Sequence, residues 1–171
     1  MDEAALLIDA LGRVQEDVHA VLADLPEAAL TYRIDDGANT IAWLIWHLSR
    51  VQDDHVAGVA GTAQVWTTDG WCERFGLPFP PSAHGYGQSP GEVAQVAVGA
   101  HLLRDYYDAV HARTLEFFAG VGADDLDRIV DTRWNPPVTL GVRLVSVIND
   151  DTQHVGQAAL IRGVFERVSG G

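Results

Sequence analysis

The side chains with the clearest chemical potential lie near the C-terminal end of the chain, in residues 147–157. Asp150 and His154 are four residues apart, a spacing that places both side chains on one face of a helix. Gln157 and Arg143 continue the same stripe. A carboxylate and an imidazole one turn apart can bind a metal ion when another segment supplies a further ligand. A structural hydrogen-bonded pair is the alternative.

The best candidate for the further ligand is His47, which lies in another apolar segment with helical periodicity. Asp54 lies on the same stripe two turns later, where it can accept a hydrogen bond from an imidazole N–H. Asp151 is a rival carboxylate, because it lies three residues before His154. The sequence therefore predicts one metal site formed by His47, Asp150 and His154.

Two further residues on the stripe of His154 have the chemistry for a supporting role. Gln157 and Arg143 can orient a metal ligand or pair with a carboxylate on a substrate. For Arg143, a position at the end of the helix that faces solvent is the alternative.

Size and composition predict a single globular domain over residues 1–171. The chain has a mass of 18.5 kDa, with 47% hydrophobic and 20% charged residues. These proportions are typical of folded domains, and the length is sufficient to bury a core without disulfides. The single cysteine, Cys72, has no partner within the chain, which favours a reducing, cytoplasmic location.

Charge and hydropathy argue against several classes of function. The formal net charge of −13 repels phosphate backbones, so nucleic acid is not an expected partner. Every basic residue is an arginine, which excludes chemistry that needs a lysine Schiff base. The N-terminus lacks the basic region of a signal peptide, and no apolar run approaches a membrane span. A cytoplasmic protein without membrane contact is expected.

Hydrophobic periodicity predicts four long amphipathic helices and no paired strands. The predicted helices cover about 2–25, 40–59, 89–118 and 140–168, and a further extended segment covers 128–134. Pro26 ends the first helix, Ser89 and Glu92 form a capping box at the third, and Thr139 caps the fourth. An all-α four-helix bundle is the predicted fold. Paired helix faces are compatible with a homodimer.

A long irregular segment, residues 61–88, connects the second and third predicted helices and is rich in glycine, proline and aromatic residues. Loops of this length in compact domains are usually functional or disordered, and the aromatic content argues against disorder. We expect the segment to cover one end of the bundle and to wall a pocket. The aromatic candidates for that wall, for which simple packing against the bundle is the alternative, are Trp66, Trp71, Phe75, Tyr86 and Trp134.

These motifs resemble the DinB-like superfamily of metal-binding four-helix bundles. The resemblance covers nearly the whole chain, and it rests on Trp-His-Leu at 46–48, the aromatic loop, and His-Val-Gly-Gln at 154–157. The ligands of that family are one histidine on the second helix and two residues four apart on the fourth, which correspond to His47, Asp150 and His154. The first residue of the pair is commonly His or Glu in the family, and the aspartate here has a shorter reach.

Within the superfamily, the chain is similar to mycothiol S-transferases and to the metal domain of mycothiol-dependent maleylpyruvate isomerase. That resemblance implies a divalent metal, zinc first and Ni2+, Fe2+ or Mn2+ as alternatives. It also implies mycothiol as a co-substrate, activated as a metal-bound thiolate that attacks an electrophilic substrate in detoxification. Water in the open metal position would instead give a hydrolase. A non-enzymatic bundle that binds a metal or a small molecule is the remaining alternative.

Overall fold

The structure, a computed structural model, describes residues 2–170, of which most are helical. The elements in chain order are α1 (Glu3–Leu22), α2 (Glu27–Leu30), α3 (Ile41–Ala60), α4 (Val65–Thr68), α5 (Trp71–Phe75), α6 (Pro90–Val93), α7 (Ala100–Phe118), α8 (Ala123–Leu126), β1 (Ile129–Asp131), β2 (Val138–Thr139) and α9 (Leu140–Ser169). The long helices α1, α3, α7 and α9 form the bundle, which confirms the predicted all-α fold. Within residues 2–170, no helix is both long and apolar enough to span a membrane.

Side chains before three of the long helices fix where those helices begin. Asp2 accepts a hydrogen bond from the backbone N–H of Ala5 at 2.8 Å, at the start of α1. Thr40 accepts from the N–H of Trp43 at 3.1 Å, and Thr139 accepts from the N–H of Val142 at 3.3 Å. Each cap satisfies a donor that has no partner within its helix. The start of α3 and α9 in turn fixes which face presents His47 and His154.

The helix α9 packs most extensively against α3, and the two run antiparallel. His47 near the start of α3 meets His154 in the middle of α9, whereas His55 in the second half of α3 meets Arg143 near the start of α9. The α3–α9 groove, as we call the surface between these two helices, therefore contains the stripe of polar residues that the sequence predicts.

The helix α7 runs parallel to α3, so the segment that joins them is a crossover and not a tight turn. Arg50 and Gln52 on α3 contact Tyr106 and Thr114 on α7, in the same order along both helices. Residues 61–99 must therefore return along the length of the bundle. They carry the short helices α4, α5 and α6.

Aromatic residues of this crossover form part of the main core. The rings of Trp66, Trp71 and Phe75 all lie within 5.7 Å of the ring of Tyr106 on α7, measured between centroids. The guanidinium of Arg50, which is fully buried, lies 4.8 Å from the centre of the Trp66 ring. Burial of these large rings, together with the buried arginine, holds the crossover against the bundle.

Two sequence predictions about secondary structure are wrong. The capping box at Ser89 begins only the one-turn helix α6, and the chain is not helical again until α7 begins at Ala100. Gly99, in extended conformation, precedes α7, and glycine has low helix propensity. A two-stranded antiparallel pair, β1 with β2, also exists. Strands of two and three residues are too short for an alternating pattern to reveal.

Candidate metal centre

The structure brings together the three side chains that the sequence nominates as metal ligands. One potential ligand atom from each of His47, Asp150 and His154 lies within 4.8 Å of the others. The ring centroids of the two histidines are 4.8 Å apart, and His154 Nε2 lies 3.6 Å from Asp150 Oδ1. His47 is buried, and the other two side chains are half-buried. The cluster therefore lies in the α3–α9 groove, within reach of small molecules.

Hydrogen bonds at Nδ1 favour, in both imidazoles, the tautomer that leaves Nε2 free for a metal. His47 Nδ1 contacts the backbone carbonyl of His84, and His154 Nδ1 lies 3.1 Å from Oε1 of Gln157. A carbonyl oxygen can only accept, so each Nδ1 carries the proton and donates it. The Nε2 atoms are consequently unprotonated when the rings are neutral, as a metal ligand must be. Burial lowers the pKa of His47, which favours its neutral form.

The donor set fits a divalent cation. Asp150 Oδ2 is buried and has no hydrogen-bond partner among the described residues. Two imidazole nitrogens and one carboxylate are a common ligand set for zinc and for neighbouring transition metals. A metal held by His47, Asp150 and His154 would satisfy the Asp150 oxygen, whose burial without a partner otherwise costs free energy.

Asp151, the rival carboxylate, lies on the other side of α9. It is fully buried, and neither of its oxygens has a hydrogen-bond partner among residues 2–170. Burial raises the pKa of Asp151 well above its usual value. Burial, and after it the nearby carboxyl of Asp151, raises the pKa of Tyr107 on α7. Asp151 therefore faces the α7 side of the core and is separate from the cluster around Asp150.

Trp43 and Gly85 fix the position of the His47 ring. The Trp43 ring stacks on His47 with centroids 4.5 Å apart and an interplanar angle of 14°. Trp43 Nε1 donates to Gln88 Oε1 at 2.7 Å, which ties the stacked pair to the crossover. Gly85 has φ +99°, and a Cβ atom added there would lie 2.6 Å from His47 Nδ1. Only glycine allows the backbone to approach the imidazole so closely.

Arg50 anchors the backbone that accepts the hydrogen bond from His47. Its Nε donates to the carbonyl of Ala83 at 3.0 Å, and its Nη2 donates to the carbonyl of Pro81 at 3.2 Å. His84, the next residue after Ala83, supplies the carbonyl that His47 contacts. The buried guanidinium thus positions this part of the crossover over the candidate metal centre.

A cavity of about 510 Å3, the arginine cavity, lies along the α3–α9 groove towards the start of α9. Its polar lining comprises Asp54, His55, Arg128, Asp131, Arg133 and Arg143. Arg143 donates to His55 Nδ1 at 2.6 Å and to Asp131 Oδ2 at 3.0 Å. The pKa of His55 is lowered mainly by burial and, to a smaller extent, by the positive charge of Arg143. Hydrogen bonds from Arg133 lower the pKa of Asp131.

The other nominated residues have varied surroundings. Gln157 contacts His154 as expected of a supporting residue, whereas Arg143 contacts His55 and Asp131. Asp54 accepts a hydrogen bond from Gln64 at 2.6 Å and not from an imidazole.

Of the five aromatic candidates, three are buried in the core, namely Trp66, Trp71 and Phe75. Tyr86, which follows Gly85, is 88% exposed. Trp134 is 66% exposed and lines a smaller cavity that adjoins the arginine cavity. The aromatic loop therefore packs mainly against the bundle, and Trp134 alone of the five lines one of the cavities described here.

The sequence analysis did not identify four residues that position His47, namely Trp43, His84, Gly85 and Arg50. The spacing of Trp43 four residues before His47 is a signal for stacking on one helix face. An arginine in the middle of an apolar helix also indicates a specific buried partner. No local pattern links His84 and Gly85 to His47, because 37 residues separate His47 from His84 and only the crossover brings them together.

Comparisons with known proteins agree with this geometry. The sequence model of the DinB superfamily matches residues 10–158, a range that includes all three candidate ligands. A crystal structure of a conserved protein from Enterococcus faecalis is similar, with a TM-score of 0.90 and 31% sequence identity. The similarity covers 100% of this chain and 99% of that chain. No curated protein matches the chain at a significant level.

Proposed function

The chain belongs to the DinB superfamily, and from that premise we propose that it is a metal-dependent transferase that couples a low-molecular-weight thiol to an electrophile. Mycothiol is the proposed thiol, zinc is the proposed metal, and detoxification is the proposed role. The observation that carries the proposal is the convergence of His47, Asp150 and His154 in an accessible groove. Three protein ligands are typical of catalytic metal sites, which keep a position for a small molecule.

The proposed roles of the residues follow from their contacts. His47 and His154 would hold the metal through Nε2, since His84 and Gln157 keep the protons on the two Nδ1 atoms. Asp150 would supply the negative ligand. When bound, a divalent metal lowers the pKa of a thiol beside it and raises the fraction of nucleophilic thiolate.

The chain itself does not need to supply the nucleophile. Its one cysteine, Cys72, is half-buried on the short helix α5. In the proposed reaction the sulfur of the small thiol forms a bond to an electrophilic carbon. In a substitution, the leaving group departs with its bonding electrons and the thiol proton goes to solvent. In an addition, that proton ends on the product.

Metal content tests the site, and the adjacent aspartates provide a matched pair of variants. We expect about one equivalent of zinc in the wild-type protein, purified without an affinity tag, and a clear loss in Asp150→Asn and His154→Ala. Asp151→Asn makes the same chemical change one residue away and should keep the metal. Elemental analysis measures the metal content of each protein, and chelator competition measures its affinity for zinc. Equal metal content in the wild type and Asp150→Asn, or no binding by the wild type after incubation with zinc, would reject the site.

Turnover tests the reaction once the metal is established. The zinc-loaded protein is assayed with 1-chloro-2,4-dinitrobenzene and, separately, mycothiol, L-cysteine or glutathione. We expect thiol-dependent release of chloride, with the highest kcat/KM for mycothiol, and loss of the activity in His154→Ala. Product formation that needs water but no thiol would indicate a hydrolase instead. Absence of turnover with every thiol would favour a protein that only binds.

A further inference from the structure

The arginine cavity has no role in the proposed thiol activation, although it lies in the same groove. Arg143 precedes Asp150 by seven residues, and His55 follows His47 by eight. At 1.5 Å per residue, the nearer wall of the cavity lies about 10–12 Å along the helix axes from the candidate metal centre. Arg128, which contacts Val59 at twelve residues after His47, lies about 18 Å along the axis from it. The two regions are electrostatically connected, since the charge of Asp150 opposes the lowering of the His55 pKa.

The cavity concentrates positive charge in an acidic protein. Three of the eleven basic residues of the chain line it, namely Arg128, Arg133 and Arg143. Two carboxylates, Asp54 and Asp131, lie among them. His55 is uncharged, because its Nδ1 accepts a hydrogen bond from Arg143, which can only donate. One positive charge is left in excess, whereas the whole chain has a net charge of −13. That excess suits a monoanion better than a dianion.

Hydrogen-bond donors remain available in this cavity. Arg133 binds Asp131 through Nε at 3.0 Å and Nη2 at 2.8 Å, and Arg143 binds the same carboxylate. Asp131 therefore orients two guanidinium groups before any ligand enters, which reduces the entropic cost of binding. Within residues 2–170, the Arg128 side chain donates one hydrogen bond, to the carbonyl of Val59 at 3.4 Å, and forms no ion pair. Its guanidinium can take a carboxylate in the bidentate geometry that arginine favours.

The adjoining cavity supplies an apolar surface beside these donors. It has a volume of about 340 Å3 and shares His55, Asp131, Arg133 and Arg143 with the arginine cavity. It adds the exposed ring of Trp134 and the exposed side chain of Val142. A ligand with an anionic group and a flat apolar body can therefore occupy both cavities at once.

We propose that the arginine cavity binds the carboxylate of a small aromatic or apolar acid, at a site separate from the candidate metal centre. The carboxylate interacts with Arg128, while the apolar body extends over Trp134. A small acid held there is too short to reach a thiol bound at that centre. The neutral form of the same molecule lacks the interaction with arginine.

Equilibrium binding tests the cavity without any metal. Isothermal titration calorimetry compares benzoate with benzamide, which has nearly the same shape but no charge. We expect benzoate to bind the metal-free protein at least about tenfold more tightly than benzamide, and Arg128→Gln to remove about that factor. Arg104→Gln is the matched control, because it changes the net charge equally and, among residues 2–170, its arginine pairs only with Asp105. Circular dichroism checks that both variants fold.

Three results would overturn the assignment. Benzoate and benzamide could bind equally, Arg104→Gln could weaken benzoate as much as Arg128→Gln, or the dianion sulfate could bind more tightly than benzoate. The second result would mean that diffuse charge is responsible, and the third would contradict the preference for a monoanion. Arg143→Lys provides a second variant, since it keeps the charge but removes the fork geometry, and it should also weaken benzoate.

Discussion

We expect Gly85→Ala to weaken the proposed metal centre, whereas Gly87→Ala, two residues away, only lowers stability. Both glycines have positive φ, +99° for Gly85 and +77° for Gly87. A Cβ atom at Gly87 would have no neighbour within 4 Å. A Cβ atom at Gly85 would lie 2.6 Å from His47 Nδ1, 3.0 Å from Trp43 Cζ2 and 3.2 Å from Trp46 Cζ3. The pair therefore separates the effect of backbone strain from the effect of displacing His47.

The expected magnitudes follow from these contacts. Backbone strain at positive φ costs about 1–3 kcal/mol for alanine, and both variants have this loss. Overpacking of a filled core adds about 1–3 kcal/mol, and only Gly85→Ala has this second loss. The new methyl group must also push His47 away from the carbonyl of His84. Loss of such a supporting hydrogen bond typically lowers metal affinity about 10–100-fold.

Two measurements are needed on both variants. Urea unfolding of the metal-free proteins gives the loss of stability, and competition with a chromogenic chelator gives the zinc affinity. We expect Gly87→Ala to keep the wild-type affinity and Gly85→Ala to lose at least about tenfold. Equal stability and equal zinc affinity of the two variants would show that the approach of Gly85 to His47 has no role in positioning the ligand.

Three further predictions concern stability. Arg50→Met should destabilise the protein by about 3–5 kcal/mol in urea unfolding, because it leaves Asp53 buried without its cation. Arg74→Met is the control, because the guanidinium of Arg74 lies over the Trp71 ring at the surface, and it should cost about 1 kcal/mol or less. Equal losses in the two variants would contradict the stabilising role of the Arg50–Asp53 pair. Burial lowers the pKa of three histidines from the usual 6.5, namely His47, His55 and His111. The unfolded chain takes up protons first at these histidines, so their contribution to the stability of the metal-free protein should fall as the pH drops below about 6.5. The raised pKa values of Asp53 and Asp151 act in the opposite direction, so the contribution is isolated by comparing variants. His111→Gln should lose less stability than the wild type on acidification, and identical pH profiles would refute this. Zinc at about 100 times its Kd should raise the free energy of unfolding by about 2.7 kcal/mol, an effect that a chelator reverses and that His154→Ala lacks.

The bundle and its candidate ligands could be predicted from sequence because each signal is local. Caps at Thr40 and Thr139 mark helix starts, and the four-residue spacing of Asp150 and His154 defines one helix face. The parts that could not be predicted depend on long-range packing. The interruption before α7 and the approach of Gly85 to His47 follow from how the crossover covers the bundle, which no local pattern encodes.

The adjacent aspartates show how the bundle assigns different chemistry to neighbouring residues. Successive residues on a helix point about 100° apart, so Asp150 faces the α3–α9 groove while Asp151 faces the core beside Tyr107. Burial raises the pKa of Asp151 well above its usual value and so disfavours the ionised form that a metal ligand needs. Asp150 remains at the edge of the core, where His154 and a cation can balance its charge. The rotation of α9, set by packing against α3 and α1, therefore decides which of the two carboxylates can act as the ligand.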